Sequence, residues 1–121
     1  MALHNELGVA GEQLARDYLE KKGFLILDTN WRCGKKEIDI IAREGAELVI
    51  VEVKTRTGDY FGYPWESVTD HKIRLLVHAT EAYIQIHDIN LETRFDVVSV
   101  ILTDNTFEIE HIRNAFTAPL S

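Results

Sequence analysis

The stretch Leu48-Val49-Ile50-Val51-Glu52-Val53-Lys54 constrains this chain more than any other. A run this rich in β-branched residues reads as a strand packed within a sheet. Two of its side chains are nonetheless charged. Placing an isolated ion in an apolar medium carries a large desolvation penalty, so Glu52 and Lys54 must face solvent, pair with each other, or hold something such as a metal ion. Side chains alternate across a strand. Leu48, Ile50, Glu52, Lys54 and Arg56 therefore share one face, and Val49, Val51, Val53 and Thr55 the other. Glu52 and Lys54 point the same way, roughly 7 Å apart at a rise of about 3.3 Å per residue.

The flanking segments predict the neighbours of this strand. Leu7, Ala10, Leu14, Ala15, Tyr18 and Leu19 recur at helical spacing, with Asn5 as a candidate N-cap and Gly23 as a stop, which predicts a helix over about residues 6–22. Residues 24–31 read as a strand and residues 37–42 as a second. Glu44-Gly45-Ala46 reads as a tight turn, where Gly45 supplies the positive φ such connections use. Residues 37–56 then form an antiparallel hairpin that pairs Asp39 near residue 51, beside Glu52. Residues 57–65 are a loop, and Thr69-Asp70 starts a second helix that ends near His87, with Ile73, Leu76, Val77, Thr80, Tyr83 and Ile84 as its apolar face. Residues 94–102 and 107–112 are two further strands around an Asp104-Asn105 turn. The order α-β-β-β-α-β-β predicts an α/β fold, a mixed central sheet flanked by helices.

Bulk properties narrow the function classes. At 121 residues the chain fits one domain, 1–121, with a single core. Its 45% hydrophobic and 27% charged content is that of an ordinary soluble protein. No apolar stretch approaches the roughly 20 residues of a membrane span, and residues 1–6 lack the charged-then-apolar pattern of a secretory signal. A single cysteine, Cys33, excludes an internal disulfide and makes the cytoplasm the default location. The net charge of −7 argues against a broad, nonspecific nucleic-acid binder. The charge is uneven, however. Residues 31–74 carry eight basic and eight acidic groups, whereas residues 75–121 carry two and seven. Lys and Arg thus cluster in the segment that contains Asp39, Glu52 and Lys54. The histidines are scattered without zinc-site spacing, and no phosphate-binding glycine loop or G-x-S-x-G elbow is present.

Two carboxylates and an amine at the end of a hairpin suit phosphodiester hydrolysis. Mg²⁺ is bound by hard oxygen ligands, usually one or two carboxylates together with substrate phosphates and water. A bound ion lowers the pKa of an attacking water, and a neighbouring lysine can orient that water or offset developing charge. The same residues also read as a cross-strand salt-bridge ladder on a solvated face, worth a few tenths of a kcal/mol per pair.

Several motifs extend the pattern: Gly8-Val9-Ala10-Gly11-Glu12-Gln13-Leu14-Ala15, Tyr18-Leu19, Gly23-Phe24, Asn30-Trp31-Arg32, Glu37-Ile38-Asp39-Ile40-Ile41-Ala42, Val51-Glu52-Val53-Lys54-Thr55-Arg56, Phe61-Gly62, Lys72 and Arg94-Phe95-Asp96-Val97-Val98. Together, in this order, they resemble the bacterial YraN-like family of predicted endonucleases, from about Gly8 to Val100. The resemblance implies the restriction-endonuclease-like, PD-(D/E)xK nuclease fold, an αβββαβ core related to archaeal Holliday junction resolvases. It further implies Mg²⁺-dependent cleavage of DNA, with Mn²⁺ able to substitute. Glu12, Asp39 and Glu52 would hold the metal, with Lys54 as the catalytic lysine. Branched DNA is the implied substrate, and a homodimer would suit cutting of two strands. The family usually has Gly directly before its Glu-Ile-Asp; here Lys36 takes that place and Gly34 lies two earlier. No proline precedes Asp39.

Residues bordering the pattern complete the reading. Arg56 extends the Glu52/Lys54 face, and Lys72 and Arg74 open the second helix; all three are candidate contacts for backbone phosphate. Glu37 is either a supporting carboxylate or a solvated charge. Arg94 and Asp96 share a strand face and are positioned to pair near the site. The aromatics Tyr60, Phe61, Tyr63 and Trp65 could stack on unpaired bases, cap the core or form a dimer contact. Two rivals to a nuclease remain open, a non-catalytic nucleic-acid-binding module on the same scaffold and an interaction domain with no nucleic-acid role.

Overall fold

The computed structural model describes residues 3–58 and 69–117, with side chains from residue 7 onward. Its elements are α1 (Leu3–Lys21), β1 (Leu25–Cys33), β2 (Lys36–Glu44), β3 (Glu47–Thr57), α2 (Asp70–His87), β4 (Glu92–Thr103) and β5 (Thr106–Phe116). The strands form one sheet in the order β1-β2-β3-β4-β5. β3 and β4 pair in parallel and the other neighbours are antiparallel. The parallel pair follows from α2: a helix between two strands returns the chain to the end at which the first strand began. The result is α/β, with the αβββαβ order of a restriction-endonuclease-like core and β5 added at the edge.

All seven predicted elements are present, and the differences lie at their ends. α1 begins at Leu3, so Asn5 lies within the helix and does not cap it. Gly23 does end α1: at φ 96° it lets the Phe24 N–H reach Leu19 O at 3.0 Å and its own N–H reach Glu20 O at 3.1 Å, the paired bonds of a Schellman cap. The hairpin turn is shorter than expected, with Glu44 pairing with Glu47 around Gly45 and Ala46. β4 starts at Glu92, two residues early, because Glu92 and Thr93 continue the ladder beside Glu47 and Leu48. Thr69 caps α2, its Oγ1 accepting from the Lys72 N–H at 3.2 Å. The aromatic segment from Tyr60 to Trp65, including the Phe61-Gly62 motif, lies outside the described residues.

The helices cover opposite faces of the sheet. Ala15 and Leu19 of α1 pack with Phe24 on Ile40, Ala42, Val49, Val51, Val98 and Val100. Leu76, Ala79 and Tyr83 of α2 pack on Ile38, Ile41, Leu48, Ile50 and Phe95. β3 keeps strict alternation between these two layers. β2 does not: Ile40 and Ala42 face α1, whereas both Ile38 and Ile41 belong to the α2 layer. The alternation slips around Asp39, and Asn30 of β1, which lies opposite between the pairs Thr29↔Ile40 and Trp31↔Ile38, adopts a left-handed φ of 51°.

Gly11 sets how closely α1 approaches the sheet. It is buried, and a Cβ on it would overlap the Thr55 side chain of β3. Glu12 follows directly, so this close approach also places a carboxylate. Gly11→Ala should destabilise the fold by about 1–3 kcal/mol through overpacking, despite the better helix propensity of alanine. Urea unfolding measures this, and adding Thr55→Ala should recover part of the loss.

Candidate active site

The β2–β3 ladder runs from Glu44↔Glu47 to Ile40↔Val51 and stops. β2 goes on toward Lys36, paired with β1 as far as Cys33, while β3 goes on to Thr57, paired with β4 as far as Leu102. The two strands therefore part, and Asp39 sits at the fork. Its Oδ2 accepts the Val53 backbone N–H at 2.8 Å. A carboxylate thus takes the donor that a continuing ladder would have satisfied through the backbone. Asp39 lies one residue beyond the Ile40↔Val51 pair, hence across from Glu52, within a residue of the register read from the sequence.

Glu52 stands in the α2-facing set of β3, at the end where α2 begins. Lys36 reaches across the fork, with its Nζ 3.3 Å from Glu52 Oε1. The two side chains are only 19% and 13% exposed. The contact is a long ion pair poorly aligned for a hydrogen bond, and the buried Glu52 Oε1 has no other partner. Burial pushes the Asp39 carboxyl up to about 7, and the charges of Glu52 and Glu12 push the same way against the Val53 N–H and Lys36. Glu52 is also raised by burial, opposed by Lys36, Lys54 and Lys72.

Glu12 approaches from the other face. Asn30 Nδ2 donates to Glu12 Oε1 at 2.7 Å, and Glu12, Asn30, Arg16, Thr29 and Ile40 line a cavity of about 140 Å³. The left-handed Asn30 thereby ties α1 to β1 beside Asp39. Glu12, Asp39 and Glu52 are close enough for both glutamates to act on Asp39, yet among the described residues no three His, Cys, Asp or Glu side chains converge to hold a metal ion. The implied three-carboxylate set is thus two residues at the fork with a third held back by Asn30. Asp39 and Glu52 do fit a divalent cation, since they are hard oxygen donors and one of their oxygens is buried without a hydrogen bond.

Of the basic residues, Lys54 is half-buried on the Glu52 face and its charge acts on Glu52. Lys72, in the first turn of α2, also acts on Glu52. Arg56 continues the same face of β3 and is half-buried. Arg74 is exposed and, two residues beyond Lys72, lies about 200° around the helix, so it does not share the face of Lys72. Glu37 pairs at the surface with Arg32, Oε2 to Nε at 3.3 Å, and is the solvated charge of its two readings. Lys36 is the residue that sequence reasoning missed. Its signal was its place three residues before Asp39 at the end of a hairpin, but its reach to Glu52 depends on the opening of the fork.

Arg94 and Asp96 do pair, Nε to Oδ1 at 2.9 Å, but not at the fork. Arg94 also holds Glu44 and Glu47, each at 2.9 Å, beside the β2–β3 turn. Asp96 is fully buried and takes the Asn114 N–H at 2.9 Å and His111 Nε2 at 2.7 Å. Burial alone would raise its carboxyl; hydrogen bonds from His111, Arg94 and Asn114 outweigh that and hold it below its usual value. An ionised carboxylate only accepts, so His111 donates to it from Nε2, and Nδ1 lies 3.1 Å from Tyr18 Oη.

The fold is an α/β scaffold consistent with a restriction-endonuclease-like core, and sequence comparison gives the family. The pattern of the group described as "Uncharacterised protein family UPF0102" matches residues 11–100. A UPF0102 protein from Phocaeicola vulgatus is 46% identical over 120 residues, 99% of either chain. One from Flavobacterium psychrophilum is 50% identical over 116 residues, 96% of this chain and 98% of its own. The chain belongs to the UPF0102, or YraN, family. Among the described residues no helix is long and apolar enough to cross a membrane.

The raised Asp39 carboxyl has a consequence for stability. Between its ordinary value near 3.8 and about 7 the folded chain binds more protons at this group than the unfolded chain does. Stability contributed by protonated Asp39 is therefore present in acid and is lost as pH rises through that window. In buffer without divalent ions, Asp39→Asn should melt above the parent at pH 8 and close to it at pH 4. Equal melting differences at the two pH values would refute the raised value.

Proposed function

We propose that the chain is a metal-dependent endonuclease that hydrolyses phosphodiester bonds in DNA. The observation that supports this most is the fork itself. Two mostly buried carboxylates with raised affinity for protons lie close enough to act on each other where two strands part, one of them ion-paired with Lys36, and a lysine lies two residues on. A buried acid pair of this kind is an expensive structural ornament and a suitable seat for a cation. Asp39 and Glu52 would hold Mg²⁺, or Mn²⁺ in its place, which would supply charge stabilisation and a more acidic water at the scissile phosphate.

The chain's own groups do the remainder. Asp39 is held through Oδ2 by the Val53 N–H, which would keep its carboxylate in place for a cation. Lys54 donates from its ammonium to the attacking water or a phosphate oxygen and offsets developing charge. Glu12, held by Asn30, adds negative charge from the α1 side. Lys72 and Arg56 border the site on the α2 side and suit contacts to phosphate. Branched or junction DNA is the favoured substrate by analogy of fold. A two-fold dimer acting in the cytoplasm would place two such sites on two strands.

The net charge of −7 favours one rival, a non-catalytic nucleic-acid-binding or interaction module on the same scaffold. Incubation with junction, flap, single-stranded and duplex DNA separates the two. At least one substrate should be cut with Mg²⁺ or Mn²⁺ and none with chelator. Asp39→Ala and Lys54→Ala should each lose at least about a hundredfold in rate. Absence of cleavage, or two variants as active as the parent, would leave the non-catalytic module as the reading.

A further inference from the structure

We propose that Lys36 is a tethered cation that occupies the divalent-ion position at the fork, and that it must leave Glu52 before a metal ion can bind there. The inference rests on the metal site of the proposed function. Its basis is geometric. Lys36 opens β2 immediately after the turn at Gly34, and its Nζ lies 3.3 Å from Glu52 Oε1. Both side chains are more than four-fifths buried. The ammonium acts on Asp39 as well as Glu52, so it serves both carboxylates that a cation would bridge.

The contact is also incomplete in an informative way. An ammonium that had found its optimal partner would donate a hydrogen bond along its N–H direction. Here the 3.3 Å contact to the buried Glu52 Oε1 is long and poorly aligned for such a bond, although close enough for Lys36 to hold the Glu52 carboxyl down. Lys36 therefore compensates charge without filling the coordination of the oxygen it faces. A small divalent ion bound to the two carboxylates brings twice the charge in a direct contact, but it cannot share the space with the ammonium. Coulomb repulsion at such separations is strong wherever water is partly excluded. Ion binding and the Lys36–Glu52 pair are thus mutually exclusive. Lys36 lowers the affinity of the site for metal and keeps the ion-free protein from carrying two uncompensated buried acids.

Lys54 and Lys72 do not fill this role. Lys54 is on the same strand as Glu52 and points along the same face, and Lys72 comes from the start of α2. Of these three lysines Lys36 comes from the opposite wall of the fork, so its departure is the one coupled to the space between β2 and β3. Lys36 forms the last pair of the β1–β2 ladder, with Cys33 beside the turn, and a lysine side chain has several rotatable bonds with which to swing toward solvent.

The test is Mn²⁺ binding in the absence of DNA, by calorimetry, for the parent, Lys36→Met and Lys36→Arg. Lys36→Met should bind at least about tenfold more tightly than the parent, equivalent to about 1.4 kcal/mol, and Lys36→Arg no more tightly than the parent. Adding Asp39→Asn to Lys36→Met should abolish the gain. Should Lys36→Met fail to fold, Lys36→Gln keeps a polar end of similar length and carries the same expectation. In the parent, chemical acetylation of Lys36 read by mass spectrometry should accelerate when Mn²⁺ is added, because the amine is released to solvent. Unchanged or weaker binding in the Met and Gln variants overturns the inference, as does an acetylation rate at Lys36 that Mn²⁺ leaves unaltered. No binding by any variant overturns it too, since there is then no ion for Lys36 to exclude. DNA cleavage by the parent alongside any of these results would leave the nuclease reading standing, so the two failures are distinguishable.

Discussion

The hydrogen bond from the Val53 N–H to Asp39, 2.8 Å long, is the contact around which the candidate site is arranged. A backbone donor in the interior of a sheet has to be satisfied. If β2 had continued beside β3, the next ladder bond would have done so, and Asp39 and Glu52 would be an ordinary cross-strand pair. Instead a side-chain carboxylate takes the donor. The strands can then separate without orphaning Val53, and the gap between them admits Lys36 from one wall and Glu52 from the other. The slip in alternation between Ile38 and Ile40, the left-handed Asn30 opposite it and the close Gly11–Thr55 approach all converge on this point. Each is a local departure from regular geometry, and departures of this sort cluster where structure serves function.

The chain buries two groups of charges and treats them differently. Around Asp96 every demand is met: Arg94, His111 and the Asn114 N–H all donate to it, and its carboxyl is held below its ordinary value. Such a network rigidifies, and here it ties β4 to β5, to the β2–β3 turn through Arg94, and to α1 through Tyr18. Around Asp39 and Glu52 the balance is left open, with carboxyls raised by burial and an oxygen without a hydrogen bond. The contrast separates scaffold from site. A fully satisfied buried network has nothing left to offer a ligand, whereas an under-satisfied one gains by binding a cation.

Much of this was legible in the sequence, for identifiable reasons. The helices and strands announced themselves through periodicity, since Leu14, Leu19, Leu76 and Tyr83 had no other way to reach a core. The hairpin turn at Gly45 set the register of Asp39 against Glu52 to within a residue. What periodicity cannot express is a change of partner within a strand. The end of the β2–β3 ladder at Ile40, and with it the ion pair of Lys36, depends on which backbone donor a carboxylate captures in three dimensions. The pairing of Arg94 with Asp96 was visible in their spacing, but its place beside Glu44 and Glu47 was not, because strand pairing brings those residues from elsewhere in the chain. Likewise Lys72 and Arg74 looked equivalent along the sequence, and only the turn of α2 separates them.

The acidity of the chain takes on a different meaning once the fork is located. A net charge of −7 is unfavourable for a protein that would hold nucleic acid by general attraction. Yet Lys36, Lys54 and Lys72 all act on Glu52, and Arg56 continues the same strand face, so positive charge is concentrated where a scissile phosphate would lie. The acidic excess sits largely in residues 75–121, and part of the negative charge of Asp96, Glu44 and Glu47 is offset internally by Arg94 and Arg113. For a nuclease, this division penalises binding anywhere but at the fork. An extended duplex laid across the surface would meet acidic groups along with the basic ones, whereas a strand that bends into the gap would bring its phosphates to Lys36, Lys54 and Lys72, with a bound cation offsetting Asp39 and Glu52. Selectivity for distorted or branched DNA would then arise from charge placement as much as from shape, and release of Lys36 by an incoming metal ion would strengthen it further by freeing one more cation at the same point.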